Sequence, residues 1–284
     1  MHAEHAIAAL NAGKHVIVTK PLIVDLAHAP ALIEAQRRTG RHLMVGQSSR
    51  FIHPMQAQRA DLARHGRIIA VEAHYHGDHR WFYRQKSWSR GGGLNEIFQG
   101  LSHPLDLVRW HLPEIVEVFG YGVSSTAARE LGQTSPDALH FVMKSACGAV
   151  ATVSGHFAQN HLPHAAQDMI SCTIRGERGV SIANFLELKY HTRFDDEPER
   201  THDFSEHFSY YWRWEPYCYH AGEFQNYIEA FARGIASGVN AQPDLPDGPR
   251  TIATLVAMDQ SLKTHSIVAV DPIYRRAVAP AQGG

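Results

Sequence analysis

Apolar positions in the first fifty residues change spacing three times. From His2 to Ala12, Ile7, Leu10 and the alanines recur at helical steps, and Gly13 follows as a stop signal. His15-Val16-Ile17-Val18 is a short β-branched run of the kind that forms a buried strand, closed by Thr19-Lys20-Pro21. Asp25 is placed to cap a second helix running to about Arg38, with Gly40 behind it, and Leu43-Met44-Val45-Gly46 reads as another buried strand. Helix, strand, helix, strand with brief connections is the rhythm of a parallel α/β sheet. Farther on, Pro54 to Arg64 predicts a helix ended by Gly66, and Arg67 to His76 alternates as a half-buried strand. From Val116 strand follows strand, at 116–123, 138–144, 149–157, 168–175 and 179–184, with turns at Gly148 and Gly176/Gly179. That succession predicts an antiparallel sheet. Residues 193–214 show no period, Glu223 to Ala236 and Gly248 to Thr264 predict closing helices, and Ile267 to Val270 predicts a last strand.

One stretch combines pattern with chemistry. After Gly91-Gly92-Gly93, the apolar residues Leu94, Ile97, Phe98, Leu101, Leu105 and Val108 fall on one helical face. Gln99, His103 and Asp106 share the neighbouring stripe, because residues three and four apart stack one above another. An amide, an imidazole and a carboxylate thus follow a glycine entrance that permits close backbone approach. The same stripe also describes a buried, satisfied histidine on an ordinary helix.

Composition narrows the classes. The chain has 284 residues, a formal net charge of −1 and no run long enough to span a membrane, so neither nucleic acid nor a membrane is an expected partner. Cys147, Cys172 and Cys218 are widely separated, which fits a reducing compartment, and the cytoplasm is the expected location. The 21 histidines are unusual. His74 and His76 would share a strand face, yet no helical His pair, paired cysteines or acidic cluster supports a metal site; none is expected, and the run from His74 to His79 reads instead as the imidazole-rich rim of a polar cleft. Gly120-Tyr121-Gly122-Val123 lacks the third glycine of a phosphate-binding turn and reads as strand.

Taken together, Ala12-Gly13-Lys14-His15-Val16, Thr19-Lys20-Pro21-Leu22, Val45-Gly46 with Arg50-Phe51, Gly91-Gly92-Gly93 with His103 and Asp106, and Asp247-Gly248 with Arg250-Thr251 resemble the Gfo/Idh/MocA oxidoreductases, in the family's order. The resemblance implies an incomplete Rossmann-like NAD(P)-binding domain over 1–48. A larger α+β domain over 49–284 would follow, with an open, mainly antiparallel sheet flanked by helices, binding substrate and a second copy of the chain. It implies hydride transfer between NAD or NADP and a hydroxyl of a sugar, cyclitol or similar small molecule. Lys20 and His103 would be catalytic, and Thr19, Lys20 and Pro21 would border the cofactor. Hydride leaves a carbinol carbon as its hydroxyl proton is removed, so a base near neutrality and a nearby cation suit that role. Gln99, Arg50, Trp88, His156 and Tyr190 are further candidates for substrate contact.

Three positions depart from the family pattern. Thr19 stands where a Glu usually precedes Lys-Pro, Gln99 stands four residues before His103 where an Asp is common, and Gly100 falls one place early. The sequence also contains no G-x-G-x-x-G, so weak NAD(P) binding is expected of a chain read as N-terminally shortened. Two other readings remain open. One is a non-catalytic binding or assembly protein, and the other a redox-neutral lyase or hydrolase on the same framework.

Overall fold

The computed structural model describes residues 1–85, 94–160, 162, 169–206, 220 and 222–278. Two sheets carry the fold. The smaller pairs β1 (Val16–Thr19) with β2 (Leu43–Gly46) in parallel, Thr19 facing Gly46 at their C-terminal ends. Helix α1 (His2–Asn11) buries Ala3, Ala6 and Leu10, and α2 (Ala29–Thr39) buries Leu32 and Ala35, so the two apolar stripes pack together beside the strands. Both helices lead into left-handed glycines, Gly13 and Gly40, at φ 73° and 62°. Asp25 caps a separate 3-10 turn at Leu26–His28, and only then does α2 begin.

The connection from β2 to the larger sheet contains α3 (His53–Ala60), which Pro54 starts and which ends before Arg64; a 3-10 turn takes up Leu62–His65. Among the described residues the larger sheet has nine strands: β3 (Ile68–His76), β4 (Ile115–Val123), β5 (Ala138–Ser145), β6 (Val150–His156), β7 (Met169–Gly176), β8 (Gly179–Asn184), β9 (Lys189–Phe194), β10 (Arg200–Asp203) and β11 (Val268–Ala269). Their spatial order is β10-β9-β8-β7-β3-β6-β5-β4-β11. Every pairing is antiparallel except β3 with β6, where Ala70 faces Val150 and His76 faces His156. The expected family architecture, a small parallel sheet followed by a large mixed one flanked by helices, is present.

Period-two burial separates the faces of this sheet. Val71, Ala73, Ala151, Val153, Cys172 and Ile174 point to the covered face, where α6 (Ser102–His111) sets Leu105 and Val108 against β3, β6 and β7. The shorter α4 (Arg80–Gln85), α5 (Glu96–Gln99) and α7 (Thr126–Glu130) lie in the connections, while α8 (Glu223–Ser237), α9 (Asp247–Thr264) and α10 (Asp271–Val278) close the chain. Tyr121, Val123, Val142, Val150 and Ile182 stay exposed. No helix among the described residues is long and apolar enough to cross a membrane.

The helix expected across 94–108 is two helices. A Cβ on Gly100 would lie 2.3 Å from Cζ of Phe157 and 2.9 Å from Oε2 of Glu96, so the chain turns here with its backbone against an aromatic ring. Gln99 and His103, on either side of this break, both reach the cavity described below, while Asp106, one turn farther along the second helix, points into the core. Gly91 to Gly93 lie outside the described residues.

Three of the described histidines, His65, His79 and His111, are buried. His111 is buried, with neither ring nitrogen hydrogen-bonded, and burial first, then Arg59, His65 and Arg50, push its pKa down to about 3. The folded imidazole is therefore neutral, whereas an unfolded one takes a proton near 6.5. Its share of stability is present above that value and lost as pH falls from 6.5 toward 3, at ~1.4 kcal/mol per pH unit for the group. Urea midpoints at mildly acidic and neutral pH check this: His111→Leu is expected to flatten the decline, and an unchanged slope would assign it to other groups.

Candidate active site

The C-terminal ends of β1 and β2 meet one end of the large sheet around a cavity of about 560 Å³. In parallel α/β sheets this end of the strands is where ligands sit. β1 brings Thr19 and Lys20, β2 brings Gly46, and the turn after β2 brings Ser48 and Ser49. Tyr75 and His79 arrive from the end of β3, and Gln99 and His103 from the break between α5 and α6. Much of the remaining wall is apolar, with Ile52, Phe82, Ile170, Phe185, Phe224 and Tyr227.

Lys20 from the end of β1 and His103 from α6 enter this cavity and are fixed one helical turn apart. The Lys20 ammonium donates to the Gln99 carbonyl at 2.5 Å, and His103 Nδ1 shares a hydrogen bond of 2.8 Å with Ser49 Oγ. The Tyr75 ring meets the His103 ring edge-on, centroids 5.5 Å apart. Burial holds the His103 pKa well below its ordinary value, and the charges of Lys20, then His220 and His79, push it the same way. At neutral pH the ring is therefore uncharged and has an acceptor nitrogen.

His79, which lines the same space, is paired with the buried Glu96. Glu96 Oε1 accepts from His79 Nδ1 at 2.9 Å and from the Tyr83 hydroxyl at 2.6 Å. His79 Nε2 lies 3.4 Å from the Tyr75 hydroxyl. Phe157, which presses on Gly100, stacks on the His79 ring at 4.9 Å. The sequence reading missed Ser49, Tyr75, His79 and Glu96. His79 stood in the run from His74 to His79, which reads as the imidazole-rich rim of a polar cleft without His79 being singled out, and Ser49 adjoins the Arg50-Phe51 motif.

Several candidate residues lie elsewhere. Arg50 is 5% exposed and bound to protein carboxylates, 2.6 and 2.7 Å from Asp106 and 2.6 Å from Asp247, so it braces the core beneath the cavity and contacts no ligand space. Tyr190 is 1% exposed and donates to Asp61 at 3.1 Å, as part of β9, a strand the sequence reading had not found. His156 stands on the uncovered sheet face, its Nε2 2.9 Å from that of His140. Pro21 faces the seam with Leu22, Val45 and Gly248 instead of the main cavity. Trp88 lies outside the described residues. Among the described residues no group of three or more His, Cys, Asp or Glu is placed to hold a metal.

The nicotinamide end of a dinucleotide fits these residues. Thr19, Lys20, Gly46 and Ser48 border the cavity at the ends of adjacent parallel strands, and Gly46 has no side chain to obstruct a ring. A glycine-rich turn that would hold the phosphates is not in the sequence.

Residues 59–270 match the oxidoreductase family's C-terminal alpha/beta domain, and residues 1–47 match its NAD-binding Rossmann fold. Over 115 residues the chain is 36% identical to a 1-carboxy-3-chloro-3,4-dihydroxycyclohexa-1,5-diene dehydrogenase of Comamonas testosteroni, covering 38% of this chain and 28% of that protein. It is 32% identical over 164 residues to a 4-carboxy-2-hydroxymuconate-6-semialdehyde dehydrogenase of a Sphingobium species, covering 55% and 49%. The chain thus spans less than half the length of these curated relatives. A levoglucosan dehydrogenase solved with NADH and levoglucosan shares the fold at a TM-score of 0.79, with 21% identity over 94% of this chain and 76% of that one. Matched by the family's two domain models across most of its length, the chain belongs to the Gfo/Idh/MocA oxidoreductases.

Proposed function

We propose that this chain carries the substrate side of an NAD(P)-dependent dehydrogenase acting on a CH–OH group of a small ring carrying neighbouring hydroxyls. The observation that supports it most is the meeting of Lys20 and His103 in one cavity at the strand ends. Aromatic walls from Phe82, Phe185, Phe224 and Tyr227 suit the flat face of a six-membered ring, while Lys20, Ser49, Gln99 and His103 suit its oxygens. The Comamonas relative's substrate, a carboxylated cyclohexadienediol, has that shape. Lys20 stabilises negative charge developing on the reacting oxygen, and neutral His103 takes the hydroxyl proton. The cofactor, when bound, accepts the hydride.

Division into a cofactor part over 1–48 and a substrate part over 49–284 belongs to this reading, as does a longer chain that supplies the phosphate-holding turn. The uncovered sheet face, with Tyr121, Val142 and Val150 exposed, is proposed as the contact with a second copy; a monomer by light scattering removes that element. Cytoplasmic residence is likewise proposed, on the scattered free cysteines. The test is appearance of NADH or NADPH absorbance with cis-cyclohexa-3,5-diene-1,2-diol and with myo-inositol as probes. It is run on the chain as given and with residues encoded upstream of Met1 added. Ring-diol oxidation is expected with the added residues, and none with either probe or cofactor would reject the reading.

A further inference from the structure

His103 is poorly suited to keep the proton it accepts, because it is buried beside the Lys20 ammonium. A carboxylate-backed imidazole, His79, lies in the same cavity. Glu96 accepts hydrogen bonds from His79 Nδ1 and Tyr83 with one oxygen, and its other oxygen, Oε2, is buried without a hydrogen-bond partner. A carboxylate on Nδ1 fixes the imidazole tautomer and makes Nε2 the basic nitrogen, and here Nε2 faces the Tyr75 hydroxyl at 3.4 Å. Tyr75 and His79 both line the cavity, and Tyr75 also contacts the His103 ring.

We propose that Tyr75, His79 and Glu96 form a proton relay in which His79 stores the proton lost by the substrate hydroxyl. This rests on the dehydrogenase reading above. The hydroxyl O–H bond breaks and its proton passes to His103, while the C–H electron pair leaves as hydride to a nicotinamide dinucleotide and the carbonyl forms. From His103 the proton crosses, through a water in the cavity, to the Tyr75 oxygen. The proton of Tyr75 moves to His79 Nε2, giving an imidazolium held on the Glu96 carboxylate. Neither Tyr75 nor Glu96 changes net charge.

Among the described residues, groups facing His79 are Glu96 from α5, Tyr83 from α4, Tyr75 from β3 and His103 from α6. Asp78 and Asp137 act on Tyr83, raising its pKa together with burial and Glu96, so Tyr83 remains a donor and does not compete as a base. A buried carboxylate with an unpaired oxygen is costly, and such arrangements cluster where protons are handled.

The test has two parts. Long-range nitrogen–proton NMR of the full chain without cofactor is expected to show His79 as the Nδ1–H tautomer at alkaline pH. Glu96→Gln is expected to lower its titration midpoint by roughly one pH unit or more. In the assay, the acid limb of kcat/KM is expected to follow the His79 midpoint. Glu96→Gln should move that limb to lower pH while reducing the plateau by roughly 10²-fold, and Tyr75→Phe should reduce the plateau with His79 still titrating. An Nε2–H tautomer for His79, or a midpoint unmoved by Glu96→Gln, overturns the relay. Turnover whose pH profile is the same in both variants also overturns it and leaves the dehydrogenase intact. If no hydride transfer occurs, the dehydrogenase reading fails and the relay falls with it, whatever the tautomer.

Discussion

His103→Asn is expected to lower kcat/KM for ring-diol oxidation by roughly 10²- to 10⁴-fold, the usual contribution of a positioned acid–base group. Folding should be little affected. His103 sits at the cavity wall, its hydrogen bond to Ser49 is within reach of an asparagine amide, and Leu105 and Val108 of the same helix still pack on the sheet. Substrate affinity measured by titration without turnover should change far less than the rate, because proton transfer is made in the transition state. Its pKa lies below 6.5, so His103 is neutral throughout the physiological range and should not itself produce a pH dependence there. Wild-type turnover by His103→Asn would remove the residue from the mechanism and leave Lys20 without its partner.

Arg50→Met is expected to destabilise the fold by about 3–5 kcal/mol, read from urea unfolding at neutral pH. The guanidinium makes a two-point contact with Asp106, which is completely buried, and a third contact with Asp247. Burial already pushes the Asp106 carboxyl up, against the pull of Arg50, and removing the arginine leaves only the weaker pull of Arg109 against that desolvation. Asp247 retains Arg109 at 2.9 Å, so the loss falls mainly on Asp106. The double change Arg50→Met with Asp106→Leu should recover much of the stability, since an apolar pair of similar volume strands no charge. If the single change costs less than about 1 kcal/mol, the network is not what holds these three segments together.

Both outcomes bear on what the chain's letters disclosed. The strand ending at Thr19-Lys20 and the imidazole at His103 were legible because local patterns of two and 3.6 residues place them, and family motifs surround both. The break at Gly100 was not. It is set by Phe157, far along the sequence, entering where a Cβ would be, and no window around Gly100 contains that ring. Arg50 misled for a related reason: beside a motif it looks like a ligand arm, and only the fold brings Asp106 and Asp247 around it. Tyr190 was read as part of the cleft because Lys189–Phe194, a charged strand near the sheet's edge, lacks clear apolar alternation. His79 and Glu96 were invisible as a pair because their meeting depends on the bend before α5, where Asn95 accepts from the Ile97 amide and turns the chain.

The pairing of β3 has a consequence for how the molecule comes together. Its neighbours, β6 on one side and β7 on the other, are both encoded far downstream, while β4 and β5 find each other locally. The middle of the sheet therefore cannot close in the order of synthesis. A strand with an apolar face waits with both edges unpaired until the later hairpins emerge, which makes this segment the slow and aggregation-exposed step of assembly.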